Sequence, residues 1–304
     1  MSKILITGAN GFIGKQVVST LLSHKHDVHA LCHNSKSSIV KENHDNLHTY
    51  NVDLLNASEI KHFFEEHKNE FPNLIHLAWY VGPKCHVANI NLDWVTSSLT
   101  LLEEFHLHGG ETFLGAGTCS EYEYKYGYLS EYLTPTDPGT LYGNGKNALY
   151  RLAKIYCKQN GLRFLWPRIF NLYGPNEKSV RLVPYVINCC LKNEDIKVSD
   201  CLKFQDYLHV SDTAKGIVSL FESNLEDACN ICSGKPVQLR TIVETIAGLT
   251  NFKGNILFGS IPAAFGDDVV VGNNEKLKTT GWSQDYDLTT GLKQTINWWI
   301  EHNV

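Results

Sequence analysis

Three glycines at spacing three, Gly8, Gly11 and Gly14, stand directly behind the apolar run Ile4-Leu5-Ile6. They stand directly before a stretch in which Val17, Val18, Leu21 and Leu22 recur at helical spacing. A buried strand, a glycine turn and a helix start together form a cradle for a pyrophosphate. Gly8 allows the tight turn, Gly11 lets the backbone approach the phosphates, and Gly14 lets the helix pack close to the strand. The helix N-terminus adds free N–H groups and a partial positive charge. Asn10, Phe12 and Ile13 belong to the same turn and are expected against a bound dinucleotide.

The chain continues as short apolar runs alternating with amphipathic ones. Strands are predicted over 28–32, 47–52, 74–78, 112–116 and 163–170, and helices over 57–67, 92–106 and 142–159. The helix over 92–106 is expected to turn Val95, Leu99, Leu102 and His106 to one face. This alternation predicts an α/β fold, a Rossmann-type doubly wound parallel sheet. The turn cluster Asn171-Leu172-Tyr173-Gly174-Pro175-Asn176 ends the pattern. We read 1–170 as a dinucleotide-binding domain and 171–304 as a smaller C-terminal α/β substrate lobe. A strand near 228–232 is expected to return to the main sheet, and Ser211 or Asp212 to cap a helix.

At 304 residues the chain suits one large α/β unit with an attached lobe. Its 27 basic and 32 acidic side chains give a net charge of −5 with no basic block, which argues against nucleic acid as a partner. No apolar run reaches membrane-spanning length, and no signal peptide is expected before the first strand. A cytoplasmic protein without a membrane partner is therefore expected. Nine cysteines, an odd number without framework spacing, are expected to be reduced. Cys229-Asn230-Ile231-Cys232 lies in an apolar run and reads as buried structural cysteines rather than a redox pair. His24 with His26, and His106 with His108, read as solvated helix ends rather than metal ligands.

Tyr142 and Lys146 stand four residues apart at the start of a helix, on one face. An ammonium near a phenol favours the phenolate and lowers a pKa of about 10. Such a tyrosine exchanges a proton at neutral pH. Thr118, at the end of the fifth strand, is placed to hydrogen-bond the same substrate oxygen. A tyrosine-lysine pair alone is common on helices, where it is often a surface lysine beside a half-buried ring.

In combination, the glycine cradle, Thr118 and Tyr142 with Lys146 resemble the extended short-chain dehydrogenase/reductase family. These are the nucleotide-sugar epimerases, dehydratases and reductases. Ile75-His76-Leu77-Ala78 is similar to the family's fourth-strand motif, and Pro138-Gly139-Thr140-Leu141-Tyr142-Gly143 to its approach to the tyrosine. Arg168-Ile169-Phe170-Asn171-Leu172-Tyr173-Gly174-Pro175 is similar to its sixth-strand exit, and Asp206-Tyr207-Leu208-His209-Val210-Ser211-Asp212 to its C-lobe motif. The resemblance covers essentially the whole chain.

It implies that Thr118 orients a sugar oxygen, Tyr142 is the acid/base, and Lys146 lowers the pKa of Tyr142 and holds the nicotinamide ribose. It implies that Asp53 and Leu54 hold the adenine, that Leu77 and Ala78 line the pyrophosphate and ribose, and that Ile169 packs beside the nicotinamide. Asn171 would contact the diphosphate of a nucleotide sugar. Tyr80, Cys119, Ser120 and Gln205 are further substrate candidates. A homodimer through the helices over 92–106 and 142–159 is also implied.

Family dehydratases carry an Asp-Glu or Ser-Glu pair directly after the catalytic Thr, where this chain has Cys119 and Ser120 and so no carboxylate, and dehydration is not expected. Epimerases that invert next to a ketone use a cysteine and a histidine at positions held here by Ser120 and Asn176. Neither is a good carbon acid/base at neutral pH. Ketone reduction by NADPH and C4 epimerisation with NAD remain. NAD users usually place a carboxylate after the second strand. This chain has His33, Asn34, Ser35 and Lys36, residues suited to a 2′-phosphate, which favours NADPH. Leu77 to Val81, Gly117 to Tyr122, Phe258 to Pro262, Asn273 to Leu277 and Gly281-Trp282 resemble the 4-keto-6-deoxysugar reductases of the abequose and fucose synthase branch.

Two arginines of the family pattern are missing, at Gln205 and in Ala263-Ala264-Phe265, which removes two bidentate phosphate contacts. Lys178, Arg181 and Lys203 are candidates to compensate. The family's asparagine on the helix over 92–106 is replaced near Trp94.

Overall fold

A computed structural model describes residues 2–33, 44–263 and 268–302. The first half contains β1 (Lys3–Thr7), α1 (Phe12–Ser23), β2 (Asp27–Cys32), β3 (Leu47–Asn51), α2 (Ala57–Glu66) and β4 (Asn73–His76). It continues with α3 (Ile90–Leu107), β5 (Thr112–Gly115), β6 (Gly117–Thr118), β7 (Tyr128–Leu129), α4 (Leu141–Asn160) and β8 (Arg163–Ile169). The second half contains β9 (Asn171–Tyr173), α5 (Leu182–Lys192), β10 (Ile196–Lys197), β11 (Phe204–His209), α6 (Val210–Glu222) and β12 (Asp227–Ile231). It ends with β13 (Pro236–Gln238), α7 (Leu239–Leu249), β14 (Ile256–Leu257), β15 (Val269–Gly272), α8 (Glu275–Lys278) and α9 (Leu288–His302).

Eight strands form one parallel sheet in the order β12-β8-β5-β4-β1-β2-β3, with β6 beside β8. Alternation along β1 explains the two layers. Ile4 and Ile6 face Val17, Val18 and Leu21 of α1 and Ala214, Ile217 and Val218 of α6. Leu5 faces the opposite way, into a core with Ile60, Phe63 and Phe64 of α2, Leu101, Leu102 and Phe105 of α3, and Leu149 and Ala153 of α4. A sheet covered on both faces suits strands that read as near-continuous apolar runs. The strand order reverses between β1 and β4, and the carboxyl ends of those strands open a crevice where ligands bind in such sheets.

The second sheet runs β13-β11-β15-β7, with β9 paired to β11. The two halves exchange strands: β12 joins the main sheet beside β8, while β7 joins the second sheet beside β15. Asp206 of β11 fastens this junction. Its buried carboxylate accepts from Ser233 N (2.7 Å) and Oγ (2.7 Å), Gly234 N (2.9 Å) and Gly272 N (3.2 Å).

Several sequence expectations are corrected. On α3 the expected face is right in part: Leu102 is buried and Val95 and Leu99 pack against the same core, but Ser97, Ser98, Leu101 and Phe105 are also buried and His106 is only partly buried. The two serines are small enough for the helix to lie close to the sheet, where His76 Nε2 meets Ser98 Oγ at 2.9 Å. His209 caps α6 by accepting from Ser211 N, and Asp212 instead accepts from Asp285 N and Tyr286 N. His26 is buried rather than solvated, and His24 and His26 share Glu222 Oε1 at 2.9 Å each. His106 and His108 are half-buried. All nine cysteines are buried and outside any disulfide, Cys229 and Cys232 among them.

Candidate active site

The cradle closes as its spacing requires. Gly8 has φ +72°, a left-handed conformation suited to glycine, and a Cβ there would stand 2.7 Å from Ala78 N. Gly11 N donates to Gly8 O at 2.9 Å. A Cβ on Gly14 would collide with Gly8 O, so only glycine lets α1 begin this close to β1. Gly11 caps α1 without a side-chain bond, which leaves the first N–H groups of the helix to a ligand. Thr7 Oγ1 accepts from Ala78 N (3.2 Å) and hydrogen-bonds His76 Nδ1 (2.7 Å), while His76 Nε2 hydrogen-bonds Ser98 Oγ (2.9 Å). Burial, with the charge of Lys146, lowers the His76 pKa to about 3, so this ring is neutral and structural.

A cleft of about 1120 Å³ runs from this cradle across the carboxyl ends of β4 and β6 into the second half. Gly8, Gly11, Phe12, Ile13, Gly14, Leu77, Ala78, Thr118, Tyr142, Lys146, Ile169, Asn171, Lys178 and Arg181 line it together. These residues, up to 173 positions apart in sequence, are brought together by the sheet edge.

Tyr142 and Lys146 lie in the first turns of α4, which Thr140 caps by accepting from Gly143 N. Thr118 hydrogen-bonds the Tyr142 hydroxyl. Burial raises the Tyr142 pKa above the ordinary tyrosine range, and the Thr118 bond only partly offsets this. This corrects the expectation of a phenolate favoured by Lys146. The ammonium instead donates to Ala116 O at 2.7 Å and lies 3.9 Å from the centre of the Trp79 ring. Burial lowers its pKa to about 7, with Glu121 opposing.

The other expected residues divide. Asn10 approaches Cys32 Sγ through its side-chain nitrogen at 3.6 Å, at the end of β2. His33 lies 3.4 Å from Asp53 Oδ1 on an exposed rim, and Asp53 also accepts from Leu55 N while Leu54 is buried below it. Asn34, Ser35 and Lys36 lie outside the described residues, as does Ala264. Tyr80 donates to Pro83 O and does not line the cleft, whereas Lys178, which lines it, donates to Val81 O. Gln205 Oε1 accepts from Asn171 Nδ2 at 3.1 Å, so it holds Asn171 instead of lining the cleft. Lys203 lies just before β11 and does not line the cleft either. Cys119 is buried beside Tyr124, and burial pushes its thiol up to about 11. Ser120 Oγ accepts from Tyr124 OH at 3.0 Å.

Sequence reasoning passed over the support behind Thr118. Glu121 is fully buried and accepts from Thr118 N (2.8 Å), Trp166 Nε1 (2.9 Å) and Arg168 Nε (2.8 Å). The carboxylate nearest Thr118 in sequence therefore points away from the cleft into an ion pair. Glu177 was also missed. It lines the cleft beside Arg181, burial pushes its carboxyl up to about 8, and its Oε2 has no partner among the described residues. Trp79 and Trp94 form a further wall, with ring centres 6.0 Å apart. Buried aromatic or acidic residues of this kind carry no spacing that could announce them. One turn before Trp94, Asn91 is buried and accepts from Trp79 Nε1 at 2.8 Å.

The sheet order, the glycine cradle and the threonine-tyrosine-lysine cluster define an NAD(P)-dependent enzyme of the extended short-chain dehydrogenase/reductase class. The sequence profile of the NAD dependent epimerase/dehydratase family matches residues 4–232, and the chain belongs to that family.

Among curated relatives, "CDP-abequose synthase" of Salmonella muenchen is 23% identical over 309 residues, covering 97% of each chain. The "dTDP-6-deoxy-L-talose 4-dehydrogenase (NAD(+))" of Aggregatibacter actinomycetemcomitans is 29% identical over 280 residues, 88% of this chain and 98% of that one. Among solved structures, UDP-glucose 4-epimerase from Thermotoga maritima, determined with UDP-glucose, superposes with a TM-score of 0.89 at 23% identity, covering 99% of this chain and 100% of that one. That likeness carries the fold.

Proposed function

We propose that this enzyme reduces the C4 ketone of a nucleotide-linked 4-keto-6-deoxy sugar with NADPH. The observation that carries the reading is the pairing of an intact Thr118, Tyr142 and Lys146 with the turning away of Glu121. The cluster has what ketone reduction needs and, at positions 119 to 121, none of the carboxylate chemistry that water loss needs. The likeness to curated sugar-nucleotide enzymes, two of whose names denote C4 chemistry or abequose synthesis, supports the substrate class.

The glycine cradle fits a dinucleotide, since any side chain on Gly8 or Gly14 would fill it. Gly8, Asn10, Gly11, Phe12, Ile13 and Gly14 would hold its pyrophosphate end, and Leu77, Ala78 and Ile169 its ribose and nicotinamide. When bound, it supplies the hydride. Thr118 hydrogen-bonds the ketone oxygen, and the Tyr142 hydroxyl gives that oxygen its proton as it becomes an alcohol. A hydroxyl kept protonated by burial is in the right state to act as this acid. The lack of a carboxylate among Cys32 to Lys36 supports NADPH over NAD. Arg181, Lys178 and Lys197, which line the second-half part of the cleft, are cations available to the substrate diphosphate. Exposed Leu92 and Leu107 on α3 and Leu152 and Ile155 on α4 support a homodimer through these helices.

The test is NADPH oxidation against dTDP-, CDP-, GDP- and UDP-linked 4-keto-6-deoxy sugars. Oxidation with one of them, abolished in Tyr142→Phe while the variant still binds NADPH, is the expected result. Silence across the panel, with NAD retained in the purified protein and C4 epimerisation of a nucleotide hexose, would replace the reductase with an epimerase. Near-normal turnover by Tyr142→Phe would remove Tyr142 from the acid/base role.

A further inference from the structure

The lysine of the site has an unusual neighbour. Lys146 Nζ lies 3.9 Å from the centre of the Trp79 ring, and its hydrogen bond goes to Ala116 O at 2.7 Å. Trp79 is not free to turn. Its Nε1 donates to Asn91 Oδ1 at 2.8 Å, and Asn91 is wholly buried. The Asn91 amide spends its remaining donors on Cys85 O (2.7 Å) and Ala88 O (2.8 Å), locking the loop that carries Trp79 to the start of α3. Trp94 backs the indole from the same helix. A buried indole N–H needs an acceptor wherever it sits, and this one also fixes the orientation of the ring face presented to Lys146.

We propose that Trp79 is a positioning residue for Lys146, its pinned indole face holding the ammonium at the cofactor wall of the cleft and favouring its charged form. The proposal rests on the reading of Lys146 as the residue that meets the nicotinamide ribose. A cation over an indole is attracted by the negative face of the ring, more strongly when both are removed from water. Burial works against the charge of Lys146, and the one carboxylate that supports it, Glu121, is already paired with Arg168. The indole supplies the attraction that a dedicated counter-ion would otherwise give.

Of the other titratable groups in the cleft, Glu177 is raised to about 8 and falls inside the range tested, so Lys146→Met is the control that separates the two, while the groups packed nearest Lys146 lie outside it. His76, from β4, titrates near pH 3, and its two nitrogens are bonded to Thr7 and Ser98. Tyr142, on the same helix, is held above the ordinary tyrosine range, and Cys119, after β6, is raised to about 11. Glu121 is turned to Arg168 Nε at 2.8 Å. A change of cofactor affinity near neutral pH that disappears with Lys146 therefore reports Lys146.

The experiment is calorimetric titration of the full chain with NADP⁺ and with NAD⁺ between pH 5.5 and 9, for wild type, Trp79→Leu, Trp79→Phe, Asn91→Ala and Lys146→Met. Affinity in wild type should fall as pH rises through the Lys146 titration, and Lys146→Met should lack that fall. In Trp79→Leu the fall should move to lower pH by about one unit, the size of a desolvated cation–π contact. Trp79→Phe, which keeps an aromatic face, should move it by less than half as much. Asn91→Ala, which frees the ring, should also move it to lower pH, and it carries the test if Trp79→Leu does not fold.

If Lys146→Met removes the fall while Trp79→Leu or Asn91→Ala leaves it in place, the proposal is overturned and the reading of Lys146 stands. A Trp79→Phe variant displaced as far as Trp79→Leu also overturns it, because the effect would then belong to lost volume. If Lys146→Met keeps the fall, the reading of Lys146 itself fails and takes the proposal with it.

Discussion

Thr118 is held from behind by a charge it never shows to the cleft. Glu121 accepts from the Thr118 backbone, the Trp166 indole and the Arg168 guanidinium, and Arg168 Nη1 continues to Tyr122 OH at 3.1 Å. Tyr122 OH in turn donates to Asn230 Oδ1 of β12 at 2.7 Å. Removing one partner of such a pair leaves the other charge buried and unpaired. Glu121→Ala is expected to lower unfolding stability by about 3–5 kcal/mol in urea titration. A loss under 1 kcal/mol would mean that Arg168 finds another partner. Turnover should fall beyond what the loss of folded protein explains, because the Thr118 backbone loses its anchor. In sequence, Glu121 is one glutamate three places after a threonine, and Arg168 one arginine in an apolar strand. Their meeting depends on β6 pairing with β8, which no local pattern contains.

At the scale of the element, α1 shows a local pattern and a tertiary contact in agreement. Its apolar spacing predicts the helix, and the glycine spacing predicts how close it begins to β1. The structure starts the helix at Phe12, inside the glycine triplet. Gly14→Ala is expected to weaken binding of the reduced dinucleotide, NADPH or NADH, by about tenfold or more in fluorescence titration, because its methyl would push α1 away from the Gly8 carbonyl. Unchanged binding would show that the cradle opens at little cost. The α3 face expected at Val95, Leu99, Leu102 and His106 is right in part: Leu102 is buried and Val95 and Leu99 pack against the same core, while the closest approach to the sheet is made by Ser97 and Ser98. Periodicity marks the apolar stripe and is silent about the polar positions beside it. A serine in a core is legible only when its partner, here His76, is known.

Across the whole molecule, buried histidines couple the fold to pH. Burial lowers His209 to about 4 and His76 to about 3, each below the value of about 6.5 for an unfolded histidine. Below pH 6.5 the unfolded chain therefore binds a proton that the folded chain refuses. Each site costs stability as pH falls, until its folded pKa is passed. His209 fills the junction between β11 and α6, bonding Gln294 Oε1 at 3.1 Å and capping the helix. His209→Asn keeps a capping side chain and removes the titration. Between pH 6.5 and 4.5 the variant should lose stability less steeply than wild type, by about 1.4 kcal/mol per pH unit at most. Parallel urea midpoints for the two proteins across that range would show that His209 does not titrate on unfolding.

What the chain alone determined was whatever is encoded by neighbours in sequence. The cradle is one turn of backbone, the tyrosine and lysine lie one helical turn apart, and alternating strands and helices leave few parallel topologies. These depend on spacing, and spacing survives without a fold. Which carboxylate faces the substrate, which aromatic ring meets Lys146, and whether the ammonium lowers the phenol were decided only when the sheet closed. Each depends on burial and on partners brought from distant strands, and desolvation, the largest influence on Tyr142 and Lys146 alike, exists only in the packed state.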